Sequence, residues 1–273
     1  FSGALNSEIN ILGNRHSFKF KSKLDLTQTN YELQEVFYKK KNIPNKIEME
    51  GSYSETKGIT VDQFKFILDD NSVTGELKLN SLADPEYSIK INGIGLRTST
   101  MAPLINIFKS NTDGKIDLNI LGKGNLSQLV NSVFKGSAAL NRLTFKWEDR
   151  KHPLTVSADV QFSGNTYNLR SGRMESGQSQ VSFLGRYKNE EQPELFLKLK
   201  GQTLIVDELI SNKKDDDKVE TNLKDLFENI HLLSSGKSKI SIDLKQFDYK
   251  WLTLRDVSGT FLLKDREIIF NRF

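Results

Sequence analysis

The 273-residue chain contains no cysteine. That removes disulfide scaffolds, thiolate metal sites, cysteine-linked haem and a cysteine nucleophile together. It leaves the compartment open, because an oxidising space permits disulfides without requiring them. No apolar run reaches the length of about 18 residues that a membrane-spanning helix needs. Charge of one sign is also scarce. Lys and Arg number 39 against 35 Asp and Glu, a net charge of +4. A nucleic-acid-binding face concentrates far more positive charge, so no nucleic-acid partner is expected. Apolar residues make up only 37% and mean hydropathy is −0.48, lean for a globular chain. Yet 17 Phe, 7 Tyr and 2 Trp are too many aromatics for a disordered one.

Catalytic sets are missing as well. His16, His152 and His231 lie far apart in unrelated contexts, unlike the spacing of zinc ligands. Neither a Gly-x-Ser-x-Gly elbow nor a Walker motif occurs. Gly122-Lys123-Gly124 lacks the later Gly-Lys-Ser/Thr of a phosphate loop and reads as a turn. Asp215-Asp216-Asp217 is not followed by an EF-hand pattern and reads as solvated loop. Glu190-Glu191 falls in a predicted turn with its carboxylates pointing apart. Lys39-Lys40-Lys41 reads as a loop beside Pro44, or as a contact for anionic headgroups. The expectation is therefore no enzyme, no cofactor and no metal.

Period-two alternation is what the chain has in abundance. It runs through Phe18-Lys19-Phe20-Lys21, through Tyr87, Ile89 and Ile91, and through Ile116, Leu118 and Ile120. It returns at Val156, Ala158 and Val160, at Leu195, Leu197 and Leu199, and at Ile240, Ile242 and Leu244. Strict alternation means strands with one apolar and one wet face, the habit of antiparallel sheets. Roughly fifteen such segments, separated by Gly, Asn, Asp and Ser clusters, describe a meander. Helical stripes occupy only 100–109, 125–135 and 221–233, each predicted as a short amphipathic helix.

Residues 71–96 align without a gap on residues 179–204. Pro85-Glu86-Tyr87-Ser88-Ile89 faces Pro193-Glu194-Leu195-Phe196-Leu197. Proline at a strand entry removes a donor at no cost, and the alternating strand follows. The predicted organisation is N-terminal strands over 1–45, then a duplicated meander over 46–210 with units at about 59–104 and 167–212. A flexible loop follows over 211–220, then a helix and C-terminal strands over 221–273. Phe1 is not an initiator Met, and Ile268–Phe273 still alternates with no closing turn. The sequence thus reads as part of a longer protein.

A sheet with one apolar face must cover it. Helices of 10 to 13 residues are about 15 to 20 Å long at 1.5 Å per residue. Fifteen strands at about 4.8 Å spacing extend for about 70 Å. The helices cannot roof such a face, which leaves a sandwich, a barrel or an open trough. In a sandwich the apolar rows are core. In a trough they suit an acyl chain, which gains about 0.8 kcal/mol per buried methylene and needs no polar partner.

The stretch Leu121-Gly122-Lys123-Gly124-Asn125-Leu126 through Gly136-Ser137-Ala138-Ala139-Leu140 resembles a recurrent element of AsmA-family proteins: Gly-x-Gly, a short amphipathic helix, then a strand. The Pro-Glu strand units and the ending Tyr249-Lys250-Trp251-Leu252 are similar to the same family, so the resemblance covers most of 47–273. It implies a long curved antiparallel sheet forming an open, taco-like groove. It further implies a periplasmic segment of an inner-membrane-anchored envelope protein of a Gram-negative-type bacterium. Such a segment handles phospholipid between inner and outer membranes. On that reading Ile89, Ile91, Val156, Val160, Leu195, Leu197, Leu199, Ile240 and Ile242 line the lipid path. The alternative is a structural, ligand-binding or protein-binding β-sandwich module.

Overall fold

A computed structural model of the chain describes residues 2–33, 37–81, 84–101, 112–147, 150–209, 237–264 and 267–272. The protein is mainly β and divides into two units, Phe1–Asn141 and Arg142–Phe273. The division falls between the two repeated segments of sequence.

The first unit holds β1 (Ser2–Gly3), β2 (Asn6–Asn14), β3 (Ser17–Asp25), β4 (Thr29–Leu33), β5 (Phe37–Lys39), β6 (Asn45–Ser54), β7 (Gly58–Leu68), β8 (Asn71–Leu79), β9 (Glu86–Arg97), β10 (Thr112–Asn125) and most of β11 (Val133–Phe145). Its large open sheet has the order β2-β3-β6-β7-β8-β9-β10-β11, and β1-β4-β5 form a separate small sheet. The second unit holds β12 (Leu154–Ser163), β13 (Thr166–Ser176), β14 (Ser179–Lys188), β15 (Glu194–Ile205), β16 (Lys237–Tyr249), β17 (Leu252–Lys264) and β18 (Glu267–Arg272), paired in sequence order in one sheet. Short turns and strict alternation give antiparallel neighbours, as in a meander.

One pair departs from the antiparallel expectation. β16 runs parallel to β15, with Leu197 beside Ile240 and Leu199 beside Ile242. Residues 206–236 separate these strands, and a parallel pair requires a connection long enough to cross back.

The backbone repeats at the same offset as the sequence. β7 and β9 begin and end 108 residues before β13 and β15. Register shifts recur between Val61 and Phe64 and between Leu169 and Gly172. The turn residues Asp69 and Gly177 both adopt left-handed backbone, at φ 53° and 54°, the conformation tight turns demand of Gly and tolerate in Asp. A helical turn follows each copy, α1 (Thr98–Met101) after β9 and a 3₁₀ turn (Val206–Glu208) after β15.

The predicted helices are corrected where they are described. Over 125–135 there is only a 3₁₀ segment, Leu126–Asn131, broken at Gln128, and β11 begins at Val133. Pairing wins there over the helical stripe: the Phe134 ring lies against Gly122 of β10. Of 100–109, only the start lies in the described residues, as the end of α1. The loop 211–220 and the helix 221–233 lie outside the described residues. Gly122-Lys123-Gly124 is not a turn but strand, inside β10. Gly124 is closely approached by the side chain of Ser132.

Candidate functional site

Residues directly paired across strands share a face, so the strand register defines rows of side chains. In the second unit, Val160, Leu169, Gly185, Leu197, Ile240 and Phe261 stand side by side across β12 to β17. The next row is Ala158, Gly172, Phe183, Leu199, Ile242 and Gly259. On one flank lies the row Val156, Met174, Val181, Gly201, Leu244 and Val257, on the other Phe162, Tyr167, Tyr187 and Leu195. Seven of the nine predicted lining residues therefore share one apolar face of this unit. Ile89 and Ile91 sit on the equivalent face of the first unit. There Ile89 stands in the row Phe20, Gly51, Val61, Leu77, and Ile91 in the row Met49, Phe64, Gly75.

All nine are part-exposed. None belongs to the buried apolar core, which among the described residues comprises Val61, Leu68, Tyr87, Leu96, Ile116, Leu143, Ala158, Val181, Leu244 and Tyr249. Phe64 pairs with Gly75 and Phe183 with Gly172, and each ring folds over its glycine. A Cβ at Gly75 would meet the Phe64 ring at 2.5 Å. The missing side chain lets a ring lie along the sheet instead of standing up from it. This exchange of Phe for Gly across a strand pair was not read from the sequence, though both residues are visible at the register positions.

In the second unit the two flanks of the face differ. Val181 and Leu244 are each 1% exposed, whereas Tyr167 at the opposite flank is 41% exposed. Tyr167 and Tyr187 stack with ring centroids 6.0 Å apart, and Phe162 stands 6.5 Å from Tyr167. The closed flank is held by Glu208. Its carboxylate accepts the N–H of Gln178 at 3.0 Å, the N–H of Ser179 at 2.9 Å and the Ser179 hydroxyl at 2.6 Å. Burial alone pushes this carboxyl up, but those donors, with His152 nearby, outweigh it and hold it below its ordinary value.

Other residues singled out in the sequence take ordinary roles. His16 Nδ1 lies 2.7 Å from Glu55 Oε1 on the exposed surface. Glu190 lies 4.0 Å from Lys188. His231 and Asp215–Asp217 lie outside the described residues. Lys39 is neither loop nor headgroup contact: it ends β5, fully buried, and its ammonium donates to the carbonyls of Leu26, Thr27 and Thr29 at 2.7, 3.2 and 2.9 Å. Burial pulls its pKa below that of an ordinary lysine, and nearby Asp25 offsets part of the effect. No helix among the described residues is long and apolar enough to cross a membrane.

No family model, curated protein or solved structure matches the chain.

Proposed function

We propose that the apolar face binds phospholipid acyl chains, and that the chain is a non-enzymatic, lipid-handling segment of an AsmA-like envelope protein in the periplasm, supporting outer-membrane assembly. The observation that carries this reading is the part-exposed state of Val160, Leu197, Ile240, Leu199 and Ile242, set in two adjoining rows. All described strands of the second unit belong to one sheet.

The energetics favour an aliphatic occupant. A continuous apolar patch of this extent is rare on a monomer and marks an interaction surface. Six strands at about 4.8 Å spacing make rows about 24 Å long. Burying ten methylenes there would contribute about 8 kcal/mol before ordering costs. The sealed Val181–Leu244 flank suits tail ends. The Tyr167–Tyr187 flank suits the join of tail and headgroup, where amphipathic rings are favoured. Transfer along such a face would be passive, with direction set by partners at the two membranes.

The test is extraction of the purified chain with organic solvent, followed by mass spectrometry, with exchange of fluorescent phospholipid in parallel. Stoichiometric phospholipid is expected. A lipid-free protein that also exchanges no fluorescent lipid ends this reading.

A further inference from the structure

The opposite, polar face of the first unit carries a feature that lipid tails do not explain. A hollow of about 490 Å³ is bordered by Lys78, Lys90, Lys123 and Lys135, with Leu121 and Val133 in its lining. Register fixes how the cations meet. Ser88 of β9 pairs with Lys78 of β8 on one side and Lys123 of β10 on the other. Lys90, two residues along β9, pairs with both Glu76 and Leu121.

The charge here is uncompensated, unlike that of the neighbouring strands. On β3 and β6, Lys21 pairs with Glu50 and lies 3.0 Å from it, and Lys23 pairs with Glu48. Around the hollow the one carboxylate, Glu76, is engaged by Lys90 at 3.3 Å. Lys78, Lys123 and Lys135 have no carboxylate partner among the described residues. Lys78 and Lys123 flank Ser88 and Lys135 lines the same hollow, so the four lysines exceed Glu76 and the adjoining Glu86 and leave a cationic concave surface that favours an anion.

A second hollow, of about 530 Å³, adjoins the first and shares Ser88 and Lys123 with it. Its lining differs in chemistry: Asn80, Gln128 and Asn131 supply amides, with Glu86 beside them. Amides both donate and accept, so they match hydroxyl groups better than they match a second anion. Leu121 and Val133, 37% and 57% exposed, offer an apolar patch within the cationic ring.

We propose that these adjoining hollows bind a phosphate ester of a hexose-sized polyol. The phosphate sits among Lys78, Lys123 and Lys135 beside the Ser88 hydroxyl. The C–H face of the ring rests on Leu121 and Val133, and its hydroxyls reach the amides of the second hollow. The side chains that hold it stand on the polar face, with Leu77 and Ile89 of the apolar row completing the lining; a soluble ester carries no acyl chain, so its binding is tested apart from the acyl-chain reading.

The test is calorimetric titration of the whole chain with glucose 6-phosphate, inorganic phosphate and glucose, each at low and physiological salt. A parallel arm measures binding to phosphatidylcholine vesicles with and without phosphatidylinositol, which presents the same chemistry on a lipid. Saturable binding of the ester is expected, tighter than either fragment and weakened by salt. Lys78→Gln and Lys123→Gln should each cost about tenfold in affinity, as loss of a charge-assisted contact implies. Lys65→Gln, elsewhere on the polar face, should cost nothing, and circular dichroism checks that every variant folds. Binding of the soluble ester identifies a free ligand; binding of phosphatidylinositol vesicles alone, with the same lysine dependence, identifies a lipid headgroup. Equal affinity for inorganic phosphate and the ester, equal losses in all three lysine variants, or binding in neither arm overturns the proposal.

Discussion

Asn71 holds Arg97 by both of its backbone groups: its side-chain oxygen accepts the Arg97 N–H at 2.6 Å, and its amide donates to the Arg97 carbonyl at 3.2 Å. One repeat later, 108 residues on, Ser179 holds the matching strand end at Ile205: its hydroxyl accepts the Ile205 N–H at 2.9 Å and gives its single proton to the Glu208 carboxylate. Two different side chains thus solve one problem. The strand ends where a helical turn begins, and its last backbone groups have lost their ladder partners. A short polar side chain from the neighbouring hairpin supplies them.

Asn71 is only 5% exposed, so its loss strands buried backbone groups. Asn71→Ala is expected to destabilise the first unit by about 1 to 3 kcal/mol, and Ser179→Ala the second by a similar amount. Urea denaturation of each variant measures this. A change below about 0.5 kcal/mol in either, within the range of ordinary surface substitutions, would mean the clamp is incidental.

Phe64 and Gly75 occupy positions that are Gly172 and Phe183 one repeat later. Ring and glycine have changed strands while the pair persists. Phe64→Gly should cost about 3 to 5 kcal/mol, as loss of a packed ring does. Gly75→Phe should cost about 3 kcal/mol or more, because a Cβ there meets the Lys90 backbone carbonyl as well as the Phe64 ring. The double variant should recover at least about 1 kcal/mol of the summed loss, because the second unit already uses the swapped arrangement. Strict additivity in thermal unfolding would refute the pairing.

Glu208 sets a pH dependence. Its folded pKa lies below its unfolded value, so its contribution is present above the unfolded value of about 4.5 and is lost as pH falls through the folded one. Hydrogen exchange should show the Gln178 and Ser179 amides losing protection in that acid window. Glu208→Gln should show reduced protection already at pH 7 and a flatter response to acid. Unchanged protection in the variant would show that the carboxylate is not what holds the turn.

The proposed acyl-chain face has its own test. Leu197→Asn and Ile240→Asn place amides side by side in the middle of one row. Because both positions are part-exposed, each change should cost less stability than a fully buried deletion. Lipid recovered by extraction should fall several-fold. Full lipid loading of the double variant would move the occupant off this face.

Much of this architecture was legible in the chain itself. Alternation at Phe18–Lys21, Tyr87–Ile91 and Leu195–Leu199 identified strands with one wet face, because a pleated strand has a side-chain period of two. The same period put seven of the nine lining residues on one face of the second unit, since residues two apart share a face and paired strands align their faces. The stretch at 125–135 misled because a helical stripe and a strand alternation overlap there. The partner strand decided it, with Gly122 receiving the Phe134 ring.

By itself, then, the sequence determined the strands, their faces and the 108-residue repeat, all of which depend on local periodicity. Only the tertiary structure decided that β16 joins β15 in parallel, that Lys39 is buried under three carbonyls, and that Lys78 and Lys123 meet across Ser88. These depend on register between segments distant in the chain. Register is set by pairing and packing, which no single strand's pattern contains.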